Sequence, residues 1–120
     1  MSFVDHLSLI FGRDWSKEAS RIQAIVEQVK YLKRIGASDD AVYVLLKEID
    51  VQENDARLNP GWSVAPWYYE QLAIVYRKQK RLADEIAILE RYEQQAKAPG
   101  AASLKIQERL QRARKYQERP

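Results

Sequence analysis

The residues of this 120-residue chain best suited to chemistry are its cations. Arg77-Lys78-Gln79-Lys80-Arg81 is the densest basic cluster, and Lys105, Arg109, Arg112, Arg114, Lys115 and Arg119 follow toward the C-terminus. Guanidinium and ammonium groups in such runs can track a phosphate backbone. The candidate nucleic-acid contacts are Lys80, Arg81, Lys105, Arg109 and Arg112. Single-strand platforms also interleave aromatic rings, and here only Tyr116 could serve. The plainer reading is that these charges lie at a helix end, where dipole and solvent both favour them.

Other chemistry is sparsely supplied. Asp50, Glu53 and Asp55 form an acidic group, but the alternating oxygen-ligand loop with a central glycine is missing. His6 is the only histidine, on a short helical segment, and reads as a surface or packing residue rather than a base. No glycine-rich phosphate loop, nucleophile elbow or metal-ligand spacing occurs. The sequence therefore points to a non-catalytic protein without a metal or a cofactor.

Composition sets the frame for these residues. Hydrophobic residues make up 46% and charged residues 31%, as expected of a soluble, charge-rich helical protein. A chain of this length predicts one domain, residues 1–120. It has no cysteine, so disulfides and thiol chemistry are excluded and a reducing cytoplasm is the expected location. The apolar runs are too short to cross a bilayer, and the start lacks the basic region of a secretory signal. The net charge of +3 is uneven. Residues 1–60 hold 8 Lys/Arg against 10 Asp/Glu, and residues 61–120 hold 12 against 7. The basic second half is what raises nucleic acid as a partner.

The elements that must position these residues are helices. Residues 1–12 carry Phe3, Val4, Leu7, Ile10 and Phe11 on one stripe, which predicts a short amphipathic helix packed on the core. A helix over 16–35 follows from Ile22, Ile25, Val26, Val29, Leu32 and Ile35, with Gly36 as its left-handed stop. Ser38 can cap a second helix that fades near Asp55–Leu58. Asn59-Pro60-Gly61 breaks the chain, and Trp62 in that loop reads as a lid over the gap between hairpins. Pro66 suits the first turn of a helix running to Lys78. After the 79–81 turn, a fourth helix is expected from Leu82 to Ala96. Ser103 can cap a last helix with a thin apolar stripe of Leu104, Ile106, Leu110, Ala113 and Tyr116. The chain thus reads as all-α, with hairpins over 16–57 and 66–97 and a capping helix over 102–118.

The two hairpins match each other at a constant offset. Ile25, Val29, Leu32, Gly36 and Leu45 correspond to Tyr69, Ala73, Tyr76, Lys80 and Leu89. Such a repeat is how stacked helical pairs are written, each burying its face on a neighbour. Residues 66–99 resemble one tetratricopeptide repeat, through Tyr69, Leu72, Ala73 and Tyr76 in its first helix. Leu82, Leu89, Tyr92 and Pro99 follow in its second part. Two positions depart from the pattern: Glu85 replaces the small residue early in the second helix, and Lys80 replaces the turn glycine. The first pair is degenerate: Gly36 and Ala41 fit, but Gln28 stands for the expected leucine.

The resemblance implies a partner groove lined by the first helix of the pair. The residues it assigns there are Trp67, Glu70, Ile74, Arg77 and Lys78, which fall on one helical stripe. Tryptophan and arginine on an accessible stripe are typical of binding hot spots. The lysines and asparagines with which some members clamp a carboxylate are absent: Trp67, Glu70, Gln71 and Ile74 stand instead. The expected function is a protein-interaction module or small adaptor holding a peptide or partner helix, with nucleic-acid binding as the alternative. Two hairpins are few for a stable array, so the terminal segments or a homodimer must cover the remaining faces.

Overall fold

The computed structural model describes residues 15–98 and 100–119. The amphipathic segment 1–12, His6 and Pro99 lie outside the described residues. All regular structure among the described residues is helical: α1 Trp15–Arg34, α2 Ser38–Leu58, α3 Pro66–Lys78, α4 Leu82–Glu93 and α5 Ala101–Gln117. None of these helices is long and apolar enough to cross a membrane. The chain divides into two compact units, residues 1–37 and 38–120, and the expected 16–57 hairpin straddles that division.

In the first unit, α1 is laced along its surface by pairs one turn apart, such as Arg21 Nη2 to Glu18 Oε1 at 2.8 Å. It ends where Gly36 takes φ +79°. The Gly36 N–H then reaches the Lys33 carbonyl and the Ala37 N–H the Leu32 carbonyl, which closes the last turn.

In the second unit, α3 is the central element and packs against α2, α4 and α5. Its sequence explains this. Tyr68, Tyr69, Leu72, Ala73, Val75 and Tyr76 are all buried, an arc too wide for one neighbour. Pro66 opens the helix, where its missing N–H is no loss. The α3–α4 turn repeats the hydrogen bonds of the α1 end, Lys80 N–H to Arg77 O and Arg81 N–H to Tyr76 O. Lys80, in the glycine's place, is the one non-glycine described residue with positive φ, at +60°.

Polar contacts lock the layers. Tyr69 donates to Glu53 Oε2 at 2.7 Å. Arg91 donates to the two Glu53 oxygens at 2.8 and 2.9 Å and also to Asp50. Of the acidic group of α2, Glu53 thus holds α3 and α4 and Asp50 adds a contact to α4, and no cluster of metal-ligand type occurs among the described residues. Burial and the Glu53 carboxylate push the Tyr69 phenol well above its ordinary value, while the hydrogen bonds from Arg91 to Glu53 hold that guanidinium charged. Tyr69 and Tyr92 meet edge to face, with ring centres 5.1 Å apart.

The end of α4 and the start of α5 differ from the sequence reading. α4 stops at Glu93 rather than Ala96. Gln95 Nε2 and Lys97 Nζ cap the Arg91 and Glu93 carbonyls, and the Ala96 carbonyl accepts from Val64 N–H in the α2–α3 loop at 2.9 Å. The chain there is used to tie two loops together. α5 starts at Ala101 after Gly100, so Ser103 is not its cap. Its hydroxyl instead bonds the Tyr92 hydroxyl and the Ala98 carbonyl. On α5 only Ile106, Leu110 and Ala113 are buried, whereas Leu104 and Tyr116 are 58% and 53% exposed. Trp62 is half-buried in its loop, with its N–H on the Asn59 carbonyl.

Candidate functional site

Two surfaces of the second unit carry the residues singled out above. The first is the outer arc of α3. Trp67, Glu70, Ile74, Arg77 and Lys78 share an arc of about 100°, facing away from the buried tyrosines and leucine. Trp67, Glu70 and Ile74 are half-buried, and Arg77 and Lys78 are exposed. The Trp67 ring packs edge-on against Tyr68 at 5.1 Å. Glu70 and Lys78 have no ion pair among the described residues, so two uncommitted charges of opposite sign flank the Ile74 side chain.

The second surface is a cleft of about 450 Å³ between the end of α3 and α5, lined by Arg77, Arg109, Arg112, Lys115, Tyr116 and Arg119. On α5 the cations recur about once per turn, because residues three and four apart share a helix face. The opposite side of α5 is fixed by Ile106, Leu110 and Ala113, which leaves the cationic stripe at the surface. Tyr116 forms an aromatic wall, with the Arg77 guanidinium 4.9 Å and the Arg119 guanidinium 5.9 Å from its ring centre.

Two of these cations meet a buried acid. Glu85 is fully buried in the first turn of α4, where the helix dipole favours a carboxylate. Its Oε1 accepts a hydrogen bond from Arg77 Nε. Its Oε2 has no hydrogen bond and faces Arg109 Nη1 at 3.9 Å. One carboxylate therefore holds two guanidinium groups contributed by two different helices. The matching position of the first repeat is Ala41, also fully buried, so an acid occupies a small residue's place.

These placements sort the candidates. Arg77 belongs to the α3 arc by position but is committed to Glu85 and Tyr116, and so it joins the cleft. Arg109 and Arg112 line the cleft with it, whereas Lys80, Arg81 and Lys105 do not. Arg81 pairs with Asp84 at 2.8 Å and lies over the Tyr76 ring at 4.5 Å. Lys115 and Arg119 belong to the basic run and Tyr116 is its one aromatic residue, but neither they nor Glu85 stand among the candidate contacts read from sequence. The three- and four-residue steps from Arg112 could have drawn in Lys115, Tyr116 and Arg119. Sequence marks Glu85 only as a departure from the helix-pair pattern, since its partners lie 8 and 24 positions away along the chain. No protein-family model, curated protein or solved structure matches this chain.

Proposed function

We propose that this chain is a non-catalytic protein-interaction module that holds a peptide or helix of a partner on the outer arc of α3. The observation behind the reading is the composition of that arc. Trp67 and Ile74 stand two turns apart, with Glu70 and Lys78 beside them free of ion pairs among the described residues. An apolar anchor pair edged by uncommitted charge suits a partner helix, which presents its own anchors at the same two-turn spacing. The buried arc of α3 already holds the fold together, so the outer arc is available for recognition.

The test is affinity capture from nuclease-treated lysate, with wild type beside Trp67→Ala/Ile74→Ser. A protein retained by wild type and lost by the double variant, whose helical circular dichroism is unchanged, supports the reading. Equal retention by both proteins removes the α3 arc from the interaction.

A further inference from the structure

We propose that the α3–α5 cleft is a second, separate binding site, and that it takes the sugar–phosphate backbone of single-stranded nucleic acid. Three observations carry this.

First, the charge of the cleft is uncompensated. Five cations line it: Arg77, Arg109, Arg112, Lys115 and Arg119. The Glu85 carboxylate beneath offsets one of them. Arg114 pairs with Glu90 at 3.7 Å and Arg91 with Asp50 and Glu53, both outside the cleft lining. Arg112 and Lys115 have no ion pair among the described residues. A single phosphorylated side chain brings a charge of about −2 and would leave the cleft positive. A nucleic-acid strand brings one charge per nucleotide and continues beyond the cleft.

Second, the cations are arranged in a line. From Arg109 to the end of α5 at Gln117 is about 12 Å at helical rise, with Arg119 just beyond, room for about four phosphates at the stacked-strand spacing of about 3.4 Å. Arg77, its Nε bonded to the buried Glu85, supplies an oriented guanidinium fork that matches phosphate oxygens, and Arg109 lies near the same carboxylate.

Third, the surface is concave and carries an aromatic wall. A duplex is convex, and a helix that reads its groove must protrude into it. Here α5 lies against α3 and α4, and the cations converge on a hollow with Tyr116 half-exposed. A hollow of this kind admits one strand, whose bases can stack on the tyrosine and on arginine planes.

The experiment is a fluorescence-anisotropy titration of the full chain with a labelled single-stranded oligothymidylate of about 15 nucleotides, set beside a duplex of the same length and a phosphoserine peptide. With about four phosphates neutralised on a single strand, log Kd should follow log salt with a slope of about 3, so affinity falls roughly 50-fold between about 50 and 200 mM salt. Arg112→Gln/Lys115→Gln removes two cations with no ion pair to lose, so its fold should be intact. It should lower the slope by about 1.4. Tyr116→Ala should weaken binding at every salt concentration and leave the slope unchanged, since stacking releases no counterions. Lys47→Gln on α2, outside the cleft, should change nothing. Four results overturn the proposal: no binding at low salt, a slope indifferent to Arg112→Gln/Lys115→Gln, a duplex bound as tightly as the single strand, or a phosphopeptide bound in place of the oligonucleotide. None of them bears on partner capture by α3, which is read with Trp67 and Ile74.

Discussion

Replacing Glu53 with alanine tests whether the polar lock between α2, α3 and α4 works as its geometry implies. Glu53 accepts three hydrogen bonds, one from Tyr69 and two from Arg91. The two donors differ in what they lose. Tyr69 is fully buried, so its hydroxyl would be stranded away from water, at a cost of about 1–3 kcal/mol. Arg91 is 34% exposed in its side chain and keeps Asp50, so its loss is that of a surface pair, about 0–1 kcal/mol. The expected destabilisation is about 2–3 kcal/mol, and most of it belongs to the tyrosine. For a unit of this size that corresponds to a fall in Tm of roughly 10–20 °C by circular dichroism. The attribution is checked by a double-mutant cycle in urea. Tyr69→Phe alone should cost about 1 kcal/mol. In the Tyr69→Phe background, Glu53→Ala should cost at least about 1 kcal/mol less than in wild type, because no hydroxyl is left to strand. If the two substitutions add within about 0.3 kcal/mol, the hydroxyl and the carboxylate are not coupled and the reasoning fails.

The raised phenol values give a second prediction. Burial raises both Tyr69 and Tyr76, with the Glu53 hydrogen bond adding to the first and Arg81 opposing the second. The folded form therefore keeps protons that the unfolded chain releases above its ordinary tyrosine value of 10.0. Stability should be flat below that pH and then fall, by up to about 1.4 kcal/mol per pH unit for each tyrosine. Urea midpoints measured from pH 8 to 11 should show the decline, and Tyr69→Phe should make it shallower. Lys80 supplies a third prediction. At φ +60° a lysine carries the steric cost of the left-handed region that glycine avoids, so Lys80→Gly should raise stability by about 0.5–1 kcal/mol. A lower urea midpoint for that variant would contradict the strain.

How far the fold could be read from sequence is best seen at the two turns. Matching positions at a constant offset placed Gly36 opposite Lys80, and glycine periodicity alone would have rejected the second. Yet both residues take positive φ, and the same two closing hydrogen bonds recur in both turns. Helix packing imposed the turn on the lysine, and the pattern of large, small and large residues before it was the legible signal. The end of α4 was not legible, because Gln94-Gln95-Ala96 has good helical propensity. What stops the helix is a loop-to-loop hydrogen bond from Val64 to Ala96 across the fold. Leu104 and Tyr116 failed for a related reason. Their spacing fits an apolar stripe, but α5 docks through Ile106, Leu110 and Ala113, and the two outer positions fall beyond the contact. The cations of α5 were visible as a run. Their convergence with Arg77 was not, since it depends on how α5 lies against α3.

Glu85 explains that convergence and shows why it is not merely a matter of stability. Its counterpart Ala41 fills the equivalent buried position without any charge to satisfy. A buried ion pair contributes little net stability compared with an apolar residue of similar volume, because desolvation offsets attraction. The effect of Glu85 is geometric instead. An acid sealed in the first turn of α4 must find cations, and among the described residues those that reach it are Arg77 at the end of α3 and Arg109 on α5. Satisfying Glu85 therefore draws two guanidinium groups from separate helices to one place, against the mutual repulsion that would spread them apart. Arg112 and Lys115 on α5 and Arg119 just past its end line the same cleft and have no ion pair among the described residues. The acid that stands opposite Ala41 when the two helical pairs are matched is thus, in three dimensions, the group on which cations of α3 and α5 meet.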